Sequence, residues 1–213
     1  MTEHHRFLLR LLLDETTQLE GWIARVSERI AAALPASMAE ALPRLAEVPG
    51  IGERAAENIL SEIGTNMDQF PTKAHLSSWV GMSPGNHESA GKRKSGRTTK
   101  GNHWLRATLV QVAWAASPTQ ETYLAAQYRR LAGRRGTKRA LVAVAHSILV
   151  IVYYLLKRPG TAFQELGPLY LEQLGEKQLT RQLVKRLERL GHKVTLEKQD
   201  VAKPEPAAAA RSP

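Results

Sequence analysis

Cysteine is absent from this chain of 213 residues, and acidic residues almost disappear from one long stretch of it. The absence of cysteine excludes a disulfide framework, a thiol nucleophile and a Cys-based metal site, and it suits a reducing compartment. Glu3 and two histidines precede the first apolar run, so the chain does not open like a secretory signal. We therefore expect a cytoplasmic protein.

The scarcity of acids is greatest in residues 89–164, which hold 14 Lys/Arg against one acid, Glu121. Residues 1–88 have the opposite balance, with 12 acids against 7 Lys/Arg. A block with a single sign of charge attracts a phosphate backbone, and its lack of carboxylates disfavours a metal site. Walker-type glycine loops, HExxH, GxSxG and Cys/His zinc spacings are also absent. We predict a nucleic-acid partner and no metal or cofactor held by this chain.

The apolar periodicity indicates a mainly α fold with a long first helix over residues 3–34. Two sets of mostly apolar positions recur there every seven residues: Leu9, Thr16, Ile23 and Ile30, and Leu12, Leu19, Val26 and Ala33. Such a seam is typical of a coiled coil, and the alternative is a long helix packed on its own domain. Pro35 and Pro43 then predict a helix-poor join.

Caps, breakers and apolar faces predict further helices. These are a short helix from Pro71 to Gly81, one over 103–116 with Asn102 as its N-cap, one over roughly 119–132, one over 140–156, and one or two within 168–190. The apolar segment 140–156 favours a central buried helix over a membrane span, which takes about 20 residues, and its His146 is expected to be a core histidine. Residues 191–199 predict a short strand, and the tail from Lys203 has a disordered composition.

The segment LAEVPGIGERAAENILSEIG, residues 45–64, predicts two helices joined by a tight turn. It resembles the helix-hairpin-helix motif, in which Gly50 and Gly52 let backbone amides and the second helix's N-terminus face a DNA phosphate. A plain structural turn fits the same residues, and the acids Glu47, Glu53 and Glu57 do not favour a phosphate contact. Both interpretations stay open.

The segment HESAGKRKSGRTTKGNHWLR, residues 87–106, holds two serines, three glycines and six Lys/Arg with one acid. It buries little apolar surface and repels itself, so a polyanion is expected to complete it; glycines and prolines over 82–101 indicate a loop or hairpin. A serine hydroxyl can attack a phosphodiester when cations stabilise the pentacoordinate phosphate. For Ser89 and Ser95, judged from the residues alone, a phosphate hydrogen bond or a turn position is the commoner role.

The stretch WVGMSPGNHESAGKRKSGRTTKGNHWLRATLVQVAW resembles the C-terminal domain of insertion-sequence transposases of the group numbered one hundred and ten. The likeness continues through PGIG upstream and TYLAAQYRRLAGRRGTKRALVAVAHSILVIVYYLL downstream, over roughly residues 1–190. The elements G-x-x-P, S-x-G-K and K-G-N-x-x-L-R carry it together. Full-length members of that group begin with a RuvC-like DEDD domain with metal-binding carboxylates, and we expect this chain to lack that domain.

The resemblance implies DNA cleavage and strand exchange in which a serine becomes covalently linked to DNA. The family's Ser-Gly-Gly-Lys-like run corresponds to SAGK here, which points to Ser89 as the nucleophile and leaves Ser95 as second choice. Mg²⁺ is implied only for the RuvC-like half. The residues expected to bind nucleic acid are Gly50, Gly52, Lys92, Arg93, Lys94, Arg97, Lys100, Arg106, Arg129 and Arg130.

The leading interpretation is therefore a DNA-binding, serine-bearing C-terminal domain of a transposase that needs a separate RuvC-like half, and whether the chain is an enzyme by itself is left open. The alternatives are a non-catalytic helix-hairpin-helix DNA-binding protein, such as a truncated transposase or a regulator of transposon ends, and a coiled-coil interaction protein with an incidental basic face. Expected partners are DNA and a second copy or a RuvC-like half joined through residues 3–34, with no membrane. The resemblance also implies a guide RNA. We expect a bacterial, nucleoid-associated location and domains over 1–35, 36–190 and 191–213.

Overall fold

The computed structural model describes residues 1–85, 87–95 and 98–196. They form eight helices, a 3₁₀ turn and a two-stranded hairpin, so the prediction of a mainly α fold with a long first helix is confirmed. The elements are α1 (Glu3–Ala33), α2 (Ala36–Ala46), α3 (Glu53–Ile63), the 3₁₀ turn (Met67–Gln69), α4 (Lys73–Val80), β1 (His87–Ser89), β2 (Lys92–Ser95), α5 (His103–Ala116), α6 (Tyr123–Arg135), α7 (Thr137–Lys157) and α8 (Tyr170–Arg189).

Helix α7 is the central element of the core, in contact with α2, α4, α5 and α6. The prediction of a buried apolar helix is confirmed there. Burial of an aliphatic side chain stabilises the folded state by about 1.5–3 kcal/mol, so a helix that buries so many of them fixes its neighbours in place. Its buried residues are Ala140, Leu141, Val144, Ala145, Ile148, Leu149, Val152, Tyr153, Leu155 and Leu156.

Within the part of the chain that the structure describes, α7 is also the one helix long and apolar enough to cross a membrane by length and composition. More than half of its most apolar window, 56%, is buried inside the protein. A core helix of a folded domain passes the same length and composition test. The expectation that no membrane is involved stays a prediction.

Helix α1 is a single helix of 31 residues that contains no buried residue. Its seam positions Leu9, Leu12, Leu19, Ile23 and Val26 are 46–61% exposed. The C-terminal half of α1 lines a groove of about 650 Å³ together with residues of α2 and α3, and the Ser27 hydroxyl accepts a hydrogen bond from the Arg54 guanidinium. The long helix is confirmed, while the coiled coil stays a prediction.

The predicted helix-poor join between Pro35 and Pro43 is wrong, because α2 occupies it and runs through Pro43. Proline removes the bond to the carbonyl four residues earlier, at a cost of about 3 kcal/mol. Pro43 and Ala39 are both exposed, so water can bond to the freed carbonyl. The opposite face of α2 buries Ala41 and Leu45 in the core, and this packing outweighs the lost hydrogen bond.

Two other predicted boundaries change. Helix α6 begins at Tyr123 rather than near residue 119, because the Thr122 hydroxyl accepts from the amide of Ala125 at 3.3 Å and caps the helix there. Residues 192–196 form no strand, which is expected where no neighbouring strand offers hydrogen bonds. The rest of that predicted strand and the tail lie outside the described residues.

Backbone contacts divide the chain into a unit of residues Met1–Leu171 and a second that begins at Glu172. The first contains α1 to α7 and the hairpin, and the second contains nearly all of α8. The predicted bounds 1–35, 36–190 and 191–213 stay predictions. The candidate site lies within the first unit.

Asn102 is the N-cap of α5, as predicted. Its side-chain oxygen accepts from the amide of Leu105 at 3.0 Å, and its side-chain amide donates to the Glu62 carboxylate on α3. One side chain therefore begins α5 and joins it to α3. The predicted apolar face of α5 is confirmed as well, because Leu105, Leu109, Val112 and Ala116 are buried.

Replacement of Asn102 by alanine is expected to lower the free energy of unfolding by about 1–2 kcal/mol, because a helix cap of this kind contributes about 1 kcal/mol and the bond to Glu62 is lost with it. Asn102→Asp keeps an acceptor for Leu105 but brings a carboxylate against Glu62, so it also destabilises. Adding Glu62→Gln to Asn102→Asp restores most of the loss in urea denaturation. A double variant no more stable than Asn102→Asp would contradict this role of the Glu62 contact.

Candidate nucleic-acid interface

The basic segment forms a tight antiparallel hairpin at its serine-bearing end. Strands β1 and β2 pair through Ser89 and Lys92, and the two residues between them, Ala90 and Gly91, have φ values of 50° and 73°. Two consecutive positive φ angles are the mark of the type I′ turn that suits the twist of a hairpin. The expectation of a loop or hairpin over 82–101 is met by a hairpin, with Ser89 next to its tip.

The two candidate serines lie at opposite ends of this hairpin. A register shift between His87 and Glu88 makes Ser95, rather than Lys94, the Cα partner of His87, while Glu88 pairs with Arg93. Ser89 is therefore at the turn and Ser95 at the far end of the paired segment. Sequence reasoning missed the placement of His87 opposite Ser95. A two-residue turn at Ala90–Gly91 could have indicated the Ser89–Lys92 pair, but the bulge has no clear sequence signal.

The base of the hairpin is fixed to the helices on both sides. Pro84 and Thr98 form an isolated antiparallel bridge, and the amide of Thr99 donates to the carbonyl of Ser83 at 3.2 Å. Below this, the backbones at Gly81 and Gly101 touch: a Cβ on Gly81 would lie 2.8 Å from the amide nitrogen of Gly101. The hairpin thus leaves the domain from a rigid base formed by the end of α4 and the start of α5.

The predicted cations near the hairpin have different surroundings. Lys92, Arg93 and Lys94 belong to β2, while Arg97 lies outside the described residues. Lys100 is exposed just beyond the base. Arg106 is half-buried and donates to the carbonyl of Gly81 at 3.3 Å, so it joins α5 to the end of α4.

Arg129 and Arg130 form a separate pair on the exposed surface of α6. Arg130 donates to the carbonyl of Leu171 at 3.5 Å. The predicted binding residues therefore fall on more than one element.

The predicted tight turn between two helices at PGIG is present, since α2 ends at Ala46 and α3 begins at Glu53. Its first glycine has a structural role. Gly50 has a φ of 89°, and a Cβ there would lie 2.5 Å from the carbonyl oxygen of Val112 and 2.8 Å from the amide nitrogen of Ala116. Gly50 therefore lets the turn pack directly on the last turn of α5.

Gly52 differs from Gly50 in both respects. It has an ordinary φ of −87°, it is exposed, and nothing lies within 4 Å of a Cβ built on it. It occupies the N-cap of α3 without a side-chain cap, so the first amides of α3 carry no capping hydrogen bond. Of the two glycines, Gly52 is the one whose surroundings leave space for a ligand.

The acids around this turn are partly committed to other contacts. Glu47 accepts from the amide of Phe163 at 3.1 Å, and Glu57 forms an ion pair with Arg54 at 2.8 Å. Glu53 remains in the first turn of α3, where a carboxylate favours the helix dipole. Two of the three acids thus have structural partners, which weakens the argument that they repel a phosphate.

Helix α5 connects the two candidate binding elements. Its first turn follows the base of the hairpin, and its last turn carries Val112 and Ala116 against Gly50. The hairpin base and the PGIG turn are therefore held at opposite ends of one 14-residue helix, about 20 Å long at 1.5 Å per residue.

His146 is half-buried on α7, where it lines a cavity of about 520 Å³ with Lys73, Tyr154 and Arg158. Burial, and in second place the charge of Lys73, lowers the pKa of His146 below its usual 6.5. Within residues 1–85, 87–95 and 98–196, no three His, Asp or Glu side chains are grouped so that they could hold a metal ion. The arrangement fits a histidine that is kept neutral inside the fold.

This domain is similar to a known family of transposases. Residues 42–129 match the family model of the transposase IS116/IS110/IS902 family. The match begins within α2 and ends within α6, and it includes the PGIG turn, the hairpin and all of α5. The resemblance to transposases inferred from the sequence is confirmed at this level.

Three curated relatives agree with the match. A probable family 20 transposase of Pseudomonas aeruginosa is 32% identical over 155 residues, covering 71% of this chain and 45% of the relative. The transposase for insertion sequence element IS1111A of Coxiella burnetii is 29% identical over 167 residues, covering 76% and 44%. A protein of insertion element IS110 of Streptomyces coelicolor is 32% identical over 135 residues, covering 61% and 32%. The chain spans less than half the length of these relatives.

Replacement of Gly50 by alanine is expected to lower the free energy of unfolding by about 2–4 kcal/mol, because the new methyl group meets the backbone of α5 and the φ is positive. The matched variant Gly52→Ala meets no atom and is expected to change stability by less than about 1 kcal/mol. Thermal and urea unfolding would compare the two. Equal stability of both variants would refute the packing role of Gly50.

Protonation of His146 is expected to destabilise the fold. Because its pKa is lowered in the folded state, the unfolded chain binds the proton more tightly, and the free energy of unfolding falls as the pH decreases through 6.5. His146→Gln should flatten this dependence between pH 7.5 and pH 5.5 in chemical denaturation, and Lys73→Met should flatten it in part. An unchanged pH dependence in His146→Gln would contradict this account.

Proposed function

We propose that this chain is the DNA-binding and serine-bearing domain of a transposase of this family, and that it takes part in DNA cleavage and strand exchange during transposition. The observation that supports it best is the hairpin within the matched region. Its two-residue turn has Ser89 immediately before it and Lys92 immediately after it, as Cα partners across the strands. A short, rigidly based hairpin can insert its tip against a DNA backbone.

In this proposal the Ser89 hydroxyl oxygen bonds to a phosphorus of the DNA backbone, and the P–O bond to one deoxyribose breaks. The hydroxyl proton passes to water, and the departing sugar oxygen takes up a proton. The resulting serine–phosphate ester keeps the energy of the phosphodiester, so attack by a sugar hydroxyl releases the serine and joins a strand. Ser95 is the second candidate for the same step.

The cations of the hairpin stabilise the negative charge that builds up on the phosphorus oxygens. Arginine and lysine are already protonated near neutral pH, so they do not accept the serine proton. They bind phosphate strongly through charge-assisted hydrogen bonds. We assign this role to Lys92, Arg93 and Lys94, with Arg97 and Lys100 on flanking phosphates. Arg106 is a weaker candidate, because its guanidinium already donates to a backbone carbonyl.

The proposal includes partners for this domain. DNA is the partner that a transposase family implies, and the basic composition of residues 89–164 supports it. The exposed seam of α1 supports association through residues 3–34 with a second copy or with a RuvC-like half that carries the Mg²⁺ site. The described residues show no such metal site themselves. Guide RNA and a nucleoid-associated cytoplasmic location are proposed from the resemblance alone.

A second candidate is a non-catalytic helix-hairpin-helix protein that binds or regulates transposon ends. The uncapped N-terminus of α3 beside the PGIG turn favours it, because free amides at a helix start bind phosphate without any chemistry. Both candidates require DNA binding that weakens with salt. They differ only in whether a serine forms a bond with DNA.

The serine chemistry can be tested by trapping the covalent product. Purified chain would be incubated with nicked transposon-end DNA, with and without the N-terminal half of a relative, and resolved on a denaturing gel. We expect an adduct in the wild type and Ser95→Ala that disappears in Ser89→Ala, with DNA affinity unchanged within about threefold. The reverse pattern moves the nucleophile to Ser95, while salt-sensitive binding without adduct in any lane supports the second candidate.

A further inference from the structure

Helix α5 carries a highly solvent-exposed aromatic side chain beside the base of the hairpin. Trp104, its second residue, is 70% exposed. The residues one turn further along, Ala107 and Thr108, are too small to cover an indole ring. The Thr108 hydroxyl is also directed to the carbonyl of Trp104, to which it donates at 3.2 Å. The ring therefore offers a free face to a ligand.

The position of Trp104 is fixed by its surroundings even though its ring is open to solvent. Asn102 caps the helix two residues before it, and the amide of Asn102 donates to the carbonyl of Trp79 at 3.1 Å. The ring of His103 lies edge-on to the indole, with 4.5 Å between centroids and 62° between planes. Helical side chains lean towards the helix N-terminus, so the indole leans towards the base of the hairpin.

The charge of the neighbourhood favours a polyanion as the occupant of this surface. Trp104 belongs to the block of residues 89–164, which has 14 Lys/Arg and one acid, and the exposed Lys100 precedes it by four residues. Two copies of so basic a surface repel each other. An aromatic ring among cations suits a nucleic acid, because its bases stack on the ring while its phosphates bind the cations.

We propose that Trp104 stacks on a base that is unpaired or displaced from the duplex where the hairpin meets DNA. Intact duplex hides the faces of its bases, so the contact gives a preference for nicked, bulged or single-stranded sites. Such a preference directs the hairpin to distorted DNA of the kind that strand exchange produces. This inference rests on the proposed DNA partner but not on the serine chemistry.

Trp114 provides a matched control on the same helix. It is 60% exposed, and it lies ten residues further along α5, about 15 Å away, next to the turn that packs on Gly50. It differs from Trp104 in its distance from the hairpin and in its position around the helix axis. Loss of exposed indole surface as such should therefore affect both variants equally.

The test measures the affinity of wild type, Trp104→Leu, Trp104→Phe and Trp114→Leu for an intact duplex and for the same duplex with one unpaired 2-aminopurine. We expect Trp104→Leu to lose roughly tenfold in affinity for the unpaired site, to leave intact duplex within twofold, and to abolish the 2-aminopurine quenching. Trp104→Phe should keep part of the preference and Trp114→Leu all of it. Equal stability of the four proteins in thermal unfolding excludes a folding effect.

Each other result has a defined meaning. Salt-sensitive binding with no difference between Trp104→Leu and the wild type overturns this inference and leaves the proposed function standing. No DNA binding by the wild type overturns both. A dimer in sedimentation without DNA that Trp104→Leu dissociates assigns the surface to a second copy instead. Loss of the adduct in Ser89→Ala with an intact unpaired-base preference shows that the two proposals are independent.

Discussion

The packing of two backbone turns on the ends of α5 is the constraint on which the candidate interface depends. At one end Gly50 brings the PGIG turn against Val112 and Ala116. At the other end the Gly81–Gly101 contact and the Asn102 cap fix where the helix begins. The buried face of α5 packs on α7, so this helix joins both the hairpin base and the PGIG turn to the core. Their separation is therefore set by the length of α5.

Acidic and basic residues are concentrated in different parts of the chain. Eleven of the twelve acids of the first 88 residues lie on α1 to α4 and the turns between them, and the twelfth, Glu88, lies on β1. Residues 89–164, by contrast, contain a single acid. Glu47 and Glu62 each join two elements through their contacts with Phe163 and Asn102, while Glu57 pairs with Arg54 within α3. The family match covers the part where these two regions meet. Transposase relatives thus share the region that combines a fixed scaffold with a basic surface.

Sequence patterns predicted the parts of this fold that depend on local chemistry. The long helix α1, the cap at Asn102 and the buried face of α7 all follow from the spacing of neighbouring residues, and each is present. Prediction failed where the local conformation depends on packing against residues that are distant in the sequence. Pro43 is helical because the other face of α2 is buried, and Gly50 is required by residues more than 60 positions away. The exposure of Trp104 likewise depends on what fails to pack against it, which no sequence pattern reports.

The turn at the tip of the hairpin also has a consequence for how this chain compares with the transposase pattern it resembles. That pattern has Gly-Gly between the serine and the lysine, whereas this chain has Ala90 with a φ of 50°. A left-handed alanine costs roughly 1–2 kcal/mol, but alanine also samples fewer conformations than glycine when the strands are apart. The tip of the hairpin is consequently restricted to fewer backbone conformations than a Gly-Gly tip would be, so its curvature is fixed more strongly by the chain itself.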